Sequence, residues 1–173
     1  IDTGSNNITL DTSDLEGAIT VNTTATSNFT LNNGAQAVIV AGGTVNGAVS
    51  VTTSGAISQT GALAVTGTSS FTSTGTNTNI DLNNTGNNFG GAISFSTLGT
   101  TGNVTVDNGT TAINLGTLTV NGALSVTSGG GITDTGITTV TGTSAFITNV
   151  NNVDILLDSA NVIQGAITFT TQG

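Results

Sequence analysis

The sequence repeats itself at a nearly fixed offset, and this repeat constrains the fold more than any other feature. Residues 45–71 return as residues 120–146, and the offset is 120 − 45 = 75 at the start and 146 − 71 = 75 at the end. A second series of matches begins at Gly17, Gly91 and Gly165, with 91 − 17 = 74 and 165 − 91 = 74. Such a period is typical of architectures in which each unit packs on its neighbours.

The matches that begin with glycine also divide the chain. They give a partial repeat over residues 1–16, full repeats over 17–90 and 91–164, and the start of another repeat over 165–173. We therefore expect residues 1–173 to form a single β-solenoid segment of a longer chain.

Short triplets of apolar, polar and apolar residues fill each repeat. Because successive side chains of a strand point to opposite faces, such a triplet predicts a short strand with one buried face. Asn and Gly, which tolerate tight corners, separate the triplets. The pattern predicts that eight apolar side chains face inward: Val49, Val51, Leu63, Val65, Ile93, Phe95, Leu124 and Val126. It predicts that four polar side chains face outward: Ser50, Ser94, Thr119 and Ser125.

Short, closely spaced strands allow a sandwich, a barrel or a β-helix, and the repeat favours the β-helix. The predicted fold class is therefore all-β, a parallel β-helix (β-solenoid) built from the 74–75-residue repeats. A turn of about 19 residues would fit four turns into one period, which gives about nine turns and, at about 4.8 Å per turn, a rod about 43 Å long. Phe71 shares a repeat position with Phe146, and Phe95 shares one with Phe169. We expect all four to fill the core.

The composition excludes several partners. The chain has no Lys and no Arg, and nine acidic residues give it a net charge of −9. Without basic side chains it lacks the electrostatic basis for binding nucleic acid or anionic lipid. We expect no nucleic-acid partner.

Catalysis has few candidate residues. The chain has no His, Cys, Lys or Tyr, so neither a nucleophile–imidazole pair nor an imidazole or thiolate metal site can form. Two carboxylates could act as in a glycosidase, and the candidates are Asp11, Asp14 and Glu16, or Asp154 and Asp158. No Trp, Tyr or Arg is present to bind a sugar. We expect no enzyme, with a carbohydrate-active β-helix as a remote alternative.

A calcium site is the one metal hypothesis that the sequence supports. Asp11, Asp14 and Glu16 offer three hard oxygen ligands within six residues. They match neither an EF-hand loop nor the glycine–aspartate nonapeptide of calcium-binding β-rolls. A solvated acidic turn is the alternative, and no other cofactor is predicted.

Asparagine is frequent at the predicted corners. Asn83, Asn84, Asn87 and Asn88 either stack as hydrogen-bonded ladders or lie in exposed turns. Six glycosylation sequons are either chance occurrences in a chain so rich in Asn and Thr, which is the favoured interpretation, or sites of glycosylation, and they begin at Asn7, Asn22, Asn28, Asn83, Asn103 and Asn108.

Three stretches resemble repeats of large bacterial exoproteins of the filamentous haemagglutinin type. They are residues 61–68 (GALAVTGT), 82–93 (LNNTGNNFGGAI) and 120–126 (VNGALSV). The resemblance implies a right-handed parallel β-helix and secretion through an outer-membrane transporter by a two-partner or autotransporter route. It also implies an extracellular or cell-surface location and a role in adhesion or biofilm.

The expected function is therefore that of an extracellular structural or adhesive rod, with host-cell or glycan receptors as partners. The alternative is a self-assembling homopolymeric fibre or surface-layer component without a receptor. The chain would then bind itself by end-to-end stacking, unless a continuing chain covers its ends.

Overall fold

A computed structural model describes residues 6–11 and 13–173. This described part contains twenty β-strands and no α-helix, and hence no helix that is long and apolar enough to cross a membrane. The strands are β1 (Ile8–Leu10), β2 (Ile19–Asn22), β3 (Phe29–Asn32), β4 (Val38–Val45), β5 (Val49–Thr53), β6 (Ile57–Gln59), β7 (Leu63–Val65), β8 (Ser69–Thr76), β9 (Ile80–Leu82), β10 (Asn88–Phe89), β11 (Ile93–Leu98), β12 (Val104–Asp107), β13 (Ile113–Val120), β14 (Leu124–Ser128), β15 (Ile132–Asp134), β16 (Thr138–Val140), β17 (Ser144–Asn151), β18 (Ile155–Leu156), β19 (Val162–Ile163) and β20 (Ile167–Gln172).

The strands stack in parallel as a β-solenoid of about eight turns with about 21 residues per turn. They form two sheets. The first runs β1-β3-β5-β8-β11-β13-β15-β18 and also holds β16 and β19. The second runs β10-β7-β4-β6-β9-β12-β14-β17-β20 and also holds β2. The predicted fold class is confirmed.

The expected turn length of about 19 residues is wrong, because the observed turns have about 21 residues. The expected four turns per period and nine turns in total are therefore wrong too. Val49 lies beside Ser69, a step of 69 − 49 = 20 along the sequence, and Ser69 lies beside Ile93, a step of 93 − 69 = 24. Longer corners between β8 and β11 account for the difference. Ile93 in turn lies beside Leu115, so three turns lead from Val49 to Leu115. Leu124, the repeat equivalent of Val49, lies 124 − 115 = 9 residues further along the chain.

The period is thus not a whole number of turns, and equivalent strands lie in different sheets. Strand β5 belongs to the first sheet, whereas its equivalent β14 belongs to the second. Strand β4 belongs to the second sheet and its equivalent β13 to the first. The repeat therefore advances around the solenoid axis as well as along it.

Apolar side chains that point inward form one continuous core. All eight predicted inward residues are buried. The Phe71 ring stacks on Phe95 at 6.0 Å and meets the edge of Phe89 at 6.2 Å. Each such residue contributes about 1.5–3 kcal/mol by leaving water.

The prediction that Phe169 fills the core is wrong. Its ring stacks on Phe146 at 5.6 Å but remains 56% exposed. Strand β20 pairs only with β17 in the described part of the chain, so no further turn covers the ring there.

Candidate functional site

The residues of the calcium hypothesis lie on the surface. Asp11, Asp14 and Glu16 are all exposed, and Asn32 Nδ2 donates a long hydrogen bond of 3.5 Å to Asp11 Oδ1. Across residues 6–11 and 13–173, no three or more acidic side chains form a group that could hold a metal ion. Calcium binding here stays a prediction, and titration calorimetry at millimolar calcium tests it.

The other candidate carboxylates, Asp154 and Asp158, are also exposed. Their main chains join neighbouring turns. The Ile132 N–H donates to the Asp154 carbonyl at 3.0 Å, and the Asp158 N–H donates to Asp134 Oδ1 at 3.0 Å. The structure thus gives these two residues a backbone role and leaves their carboxylates in solvent.

A part-buried amide pair that sequence reasoning missed links two turns of the first repeat. Gln59 Nε2 donates to Asn87 Oδ1 at 2.9 Å, and Asn87 Nδ2 donates back to Gln59 Oε1 at 2.8 Å. The Leu63 N–H donates to Asn87 Oδ1 at 2.9 Å, and the Asn84 N–H donates to Gln59 Oε1 at 3.0 Å. We call this pair the first corner clamp. It satisfies backbone groups that would otherwise be unpaired where the chain turns.

The second repeat holds an equivalent pair, Asp134 and Asn161, which we call the second corner clamp. The offsets are 134 − 59 = 75 and 161 − 87 = 74. Asn161 Nδ2 donates to Asp134 Oδ2 at 2.6 Å, and the Thr138 N–H donates to Asn161 Oδ1 at 2.7 Å. Asp134 Oδ1 accepts from the N–H groups of Asp158 and Ser159 at 3.0 and 3.3 Å.

The sequence carries a signal for both clamps. Gln59 and Asp134 each stand two residues after an inward-facing isoleucine, Ile57 or Ile132. An alternating strand predicts an apolar residue at that position, and a polar residue there in both repeats indicates a hydrogen-bonded partner inside the fold.

Of the four asparagines for which ladders or exposed turns were the two interpretations, Asn83 and Asn88 are exposed, Asn84 accepts from the Gly86 N–H in its own turn, and Asn87 belongs to the first corner clamp. Other asparagine side chains bond the backbone of the next turn. Asn7 Oδ1 accepts from the Asn28 N–H at 2.8 Å, and Asn28 Oδ1 accepts from the Ala48 N–H at 2.7 Å. In the second repeat, Asn103 Oδ1 accepts from the Ala123 N–H at 2.8 Å. Asn108, which begins a sequon, is buried and donates through Nδ2 to the Ala112 carbonyl at 2.6 Å.

Eight outward-facing polar side chains form two rows across the first sheet, and we call them the hydroxyl lattice. Each residue lies opposite the next one in its row, and adjacent strands are about 4.8 Å apart. Seven carry a hydroxyl and one an amide. The rows are Thr30, Ser50, Ser70 and Ser94, and Asn32, Thr52, Thr72 and Ser96.

The last described turn exposes large apolar side chains. Strands β18, β19 and β20 each pair on one side only within the described residues, and together they form what we call the C-terminal edge. Ile167 and Phe169 are 43% and 56% exposed, and Leu156 and Val162 are 54% and 50% exposed. Aspartate and asparagine occupy the equivalents of Leu156 and Val162 one repeat earlier, at 156 − 75 = 81 and 162 − 74 = 88.

Comparison with known proteins identifies one family. The protein-family model described as "Repeats of unknown function (DUF5649)" matches residues 26–96 and 101–170. The two matches are offset by 101 − 26 = 75 at the start and 170 − 96 = 74 at the end. Neither the search of curated proteins nor the search of solved structures found a match.

Proposed function

Because the chain belongs to the family of repeats of unknown function (DUF5649), we propose a role that its repeating architecture can serve. The chain acts as an extracellular structural and adhesive rod or filament of a bacterial surface exoprotein of the filamentous haemagglutinin type. The observation that carries the proposal is the unbroken parallel stack of strands, which presents the hydroxyl lattice along one side.

The chemistry of the hydroxyl lattice suits a polar, uncharged partner. Serine and threonine hydroxyls both donate and accept hydrogen bonds, as do the hydroxyls of a glycan. The eight lattice residues include no carboxylate, although the chain carries nine acidic residues. Each contact is weak, and repetition along a rod raises the overall avidity. We therefore propose host-cell or glycan receptors as the partners.

The resemblance to filamentous haemagglutinin-type proteins supports the proposed location and secretion route. The chain would leave the cell through an outer-membrane transporter and remain extracellular or on the bacterial surface. A parallel ladder of backbone hydrogen bonds stabilises the fold without disulfides, in keeping with a chain that has no cysteine. The proposed role is not enzymatic.

A binding assay with matched variants tests adhesion. A dye on Thr60→Cys, an exposed corner residue, reports saturable binding to epithelial cells and immobilised glycans. Ser70→Glu with Ser94→Glu places two neighbouring charges in the hydroxyl lattice and should weaken binding about tenfold, the equivalent of about 1.4 kcal/mol.

Thr105→Glu with Ser125→Glu is the control, since these residues are neighbours on the outward side of the second sheet. It should leave the affinity unchanged. The proposal fails if no saturable binding occurs, or if both double variants lose affinity equally.

The second candidate function is a homopolymeric structural fibre or surface-layer component without a receptor. Leu156 and Val162 favour it, because they lie opposite the outward-facing Thr133 and Thr139 and are 54% and 50% exposed, so that a neighbouring rod could pack against them. Fibres of the unlabelled chain in negative-stain electron microscopy, without binding to cells or glycans, would favour this function over adhesion.

A further inference from the structure

Four asparagines of the chain are followed directly by glycine. They are Asn33, Asn46, Asn108 and Asn121. An asparagine before glycine is open to reaction with its neighbour, because glycine has no side chain to keep its backbone nitrogen away from the asparagine side-chain carbon, Cγ. The four form two equivalent pairs, since 108 − 33 = 75 and 121 − 46 = 75. Both repeats therefore place this dipeptide at the same two corners.

The reaction is deamidation through a cyclic imide. The glycine nitrogen attacks Cγ and forms a new C–N bond. The bond from Cγ to Nδ2 breaks, and Nδ2 leaves as ammonia with the proton of the glycine nitrogen. Water then opens the imide to aspartate or isoaspartate. The product carries one more negative charge than asparagine, and its side chain has lost both N–H donors.

The Asn33 side chain is fully buried and bonded at both of its polar atoms. Asn33 Oδ1 accepts from the Leu15 N–H at 2.7 Å. Asn33 Nδ2 donates to the Leu15 and Ala37 carbonyls at 3.0 and 3.2 Å. Gly34 has a φ of 55°, a left-handed conformation that favours glycine. The corner thus uses both residues of the dipeptide, and its hydrogen bonds hold the amide that would react.

The fold holds Asn108, the equivalent of Asn33, in the same way. Its side chain is fully buried, its Oδ1 accepts from the Phe89 N–H at 2.6 Å, and its Nδ2 donates to the Ala112 carbonyl at 2.6 Å. The nitrogen that would have to attack is occupied as well, because the Gly109 N–H donates to Asp107 Oδ1 at 2.8 Å. Deamidation at this corner therefore requires that these hydrogen bonds break first.

The other two asparagines bind the preceding turn through a threonine. Asn46 Nδ2 donates to the Thr23 carbonyl at 2.6 Å, and the Asn46 N–H donates to Thr23 Oγ1 at 2.9 Å. Asn121 forms the same two bonds with Thr97, at 2.8 and 3.1 Å. Thr97 is the equivalent of Thr23, since 97 − 23 = 74. Each threonine thus holds one asparagine of the next turn.

We propose that the four Asn–Gly dipeptides are deamidation sites that the stacked turns keep closed and that react when a corner opens. The rate at each site is then the rate in an unfolded chain multiplied by the fraction of time for which that corner is open. The change is one-way. At Asn33, a carboxylate would face the backbone carbonyl oxygens that now accept from Nδ2, so the corner could not close as before.

The inference goes beyond the proposed function and does not rest on it. It concerns the contacts between turns and involves no receptor and no second copy of the chain. It determines how long the rod keeps its stacking, whatever the rod binds.

Incubation in mildly alkaline buffer, with and without urea that unfolds the chain, tests whether the fold protects these sites. Pepsin digestion in acid stops the reaction, and mass spectrometry then measures the mass increase at each of the four asparagines. All four should react in urea, and each should react at least about tenfold more slowly in the folded chain. Equal rates with and without urea would overturn the proposal.

Two threonine variants test whether each corner opens by itself. Thr97→Val removes the Oγ1 acceptor of the Asn121 N–H and should speed the reaction at Asn121 about fivefold, the effect of one lost hydrogen bond. The other three sites should keep their rates. Thr23→Val should act in the same way on Asn46 and leave Asn121 unchanged, so each variant is the control for the other. No acceleration at the matched asparagine, or equal acceleration at all four sites, would contradict opening of single corners.

A variant that mimics the product tests whether the reaction weakens the stack. Asn33→Asp should lower the urea midpoint of unfolding, because its carboxylate would face the Leu15 and Ala37 carbonyls. Asn83→Asp is the matched control, since it adds the same charge at an exposed asparagine. It should leave the midpoint unchanged. Midpoints that fall equally in both variants, or in neither, would show that deamidation at the corner does not separate the turns.

Discussion

Asp134 is the repeat equivalent of Gln59, and both side chains join neighbouring turns at a corner through hydrogen bonds. The two residues differ in the hydrogen bonds that they can form. The Gln59 side chain both donates and accepts hydrogen bonds in the first corner clamp. The Asp134 carboxylate only accepts, and it accepts three hydrogen bonds. Three donors suffice to satisfy the buried carboxylate without a cation. The chain offers no cationic side chain, since it lacks Lys, Arg and His.

Substitution of Asp134 tests whether the clamp stabilises the fold. Asp134→Gln restores the residue of the first repeat and should change the free energy of unfolding by less than about 1 kcal/mol. Asp134→Leu leaves the side-chain amide of Asn161 and two N–H groups without an acceptor and should cost about 1–3 kcal/mol. Urea unfolding followed by circular dichroism measures both. Equal losses would contradict the account.

Among residues 6–11 and 13–173, two buried serines have hydroxyls with no hydrogen-bond partner. Ser69 and Ser144 are repeat equivalents, 2% and 3% exposed, and neither Oγ atom forms a hydrogen bond. Each stands two residues before a buried phenylalanine on the same face of its strand, Phe71 or Phe146, where a larger residue would compete for space.

Ser69→Ala should therefore stabilise the protein by about 1 kcal/mol, because it removes an unsatisfied hydroxyl and almost no volume. Ser73→Ala is the matched control in the same strand, since Ser73 Oγ donates to the Gly55 carbonyl at 2.8 Å. It should destabilise by about the same amount. Thermal unfolding compares the two, and a loss of stability in both would refute the explanation.

At the scale of the elements, glycines allow successive turns to approach closely. A Cβ atom on Gly91 would lie 2.5 Å from the Gly67 carbonyl oxygen, and one on Gly165 would lie 2.2 Å from that of Gly142. Gly17 shares their repeat position, but no atom lies within 4 Å of its would-be Cβ, because no described turn lies below it. The requirement for glycine thus comes from the neighbouring turn.

Alanine at these positions separates stacking from backbone effects. Gly91→Ala should cost about 1–3 kcal/mol, because the turns must move apart. Gly17→Ala should be neutral or stabilise by about 0.4–1 kcal/mol through the unfolded chain. Denaturant midpoints measure both changes, and equal effects would show that stacking does not decide the choice of glycine.

Alternation was enough to predict most strands and their inward faces. Val49, Val51, Ile93 and Phe95 are buried as expected, because a two-residue period depends only on the local pleat. The length of a turn also depends on the corners, which alternation does not describe. The step from Ser69 to Ile93 is longer than the step from Val49 to Ser69 for this reason.

The candidate surfaces were harder to predict from the sequence than the fold. The polar partners Ser50 and Ser94 were expected to face outward, but their alignment with Ser70 into a row depends on the register. The corner clamps join residues 28 and 27 positions apart, and that pairing depends on turn length. With a wrong turn length, neither the hydroxyl lattice nor the corner clamps can be predicted from the sequence.

At the scale of the whole molecule, the mismatch between period and turn distributes each repeated feature around the rod. Ser50 lies on the first sheet and its equivalent Ser125 on the second. A partner that recognised this part of the repeat would meet successive sites on different sides. The hydroxyl lattice instead arises from successive turns of residues 30–96, which cover most of the first full repeat and the start of the second.

Disulfide trapping of outward-facing neighbours tests this arrangement most directly. Ser50→Cys with Ser70→Cys and Thr105→Cys with Ser125→Cys place thiols on adjacent strands of the first and second sheets, and both pairs should oxidise to monomers with an internal disulfide. Ser50→Cys with Ser69→Cys, the pair that the shorter expected turn requires, and Ser50→Cys with Ser125→Cys should remain reduced within the monomer. Efficient closure of either of the last two pairs, or failure of the first two, would contradict a solenoid whose repeat spans three turns and part of a fourth.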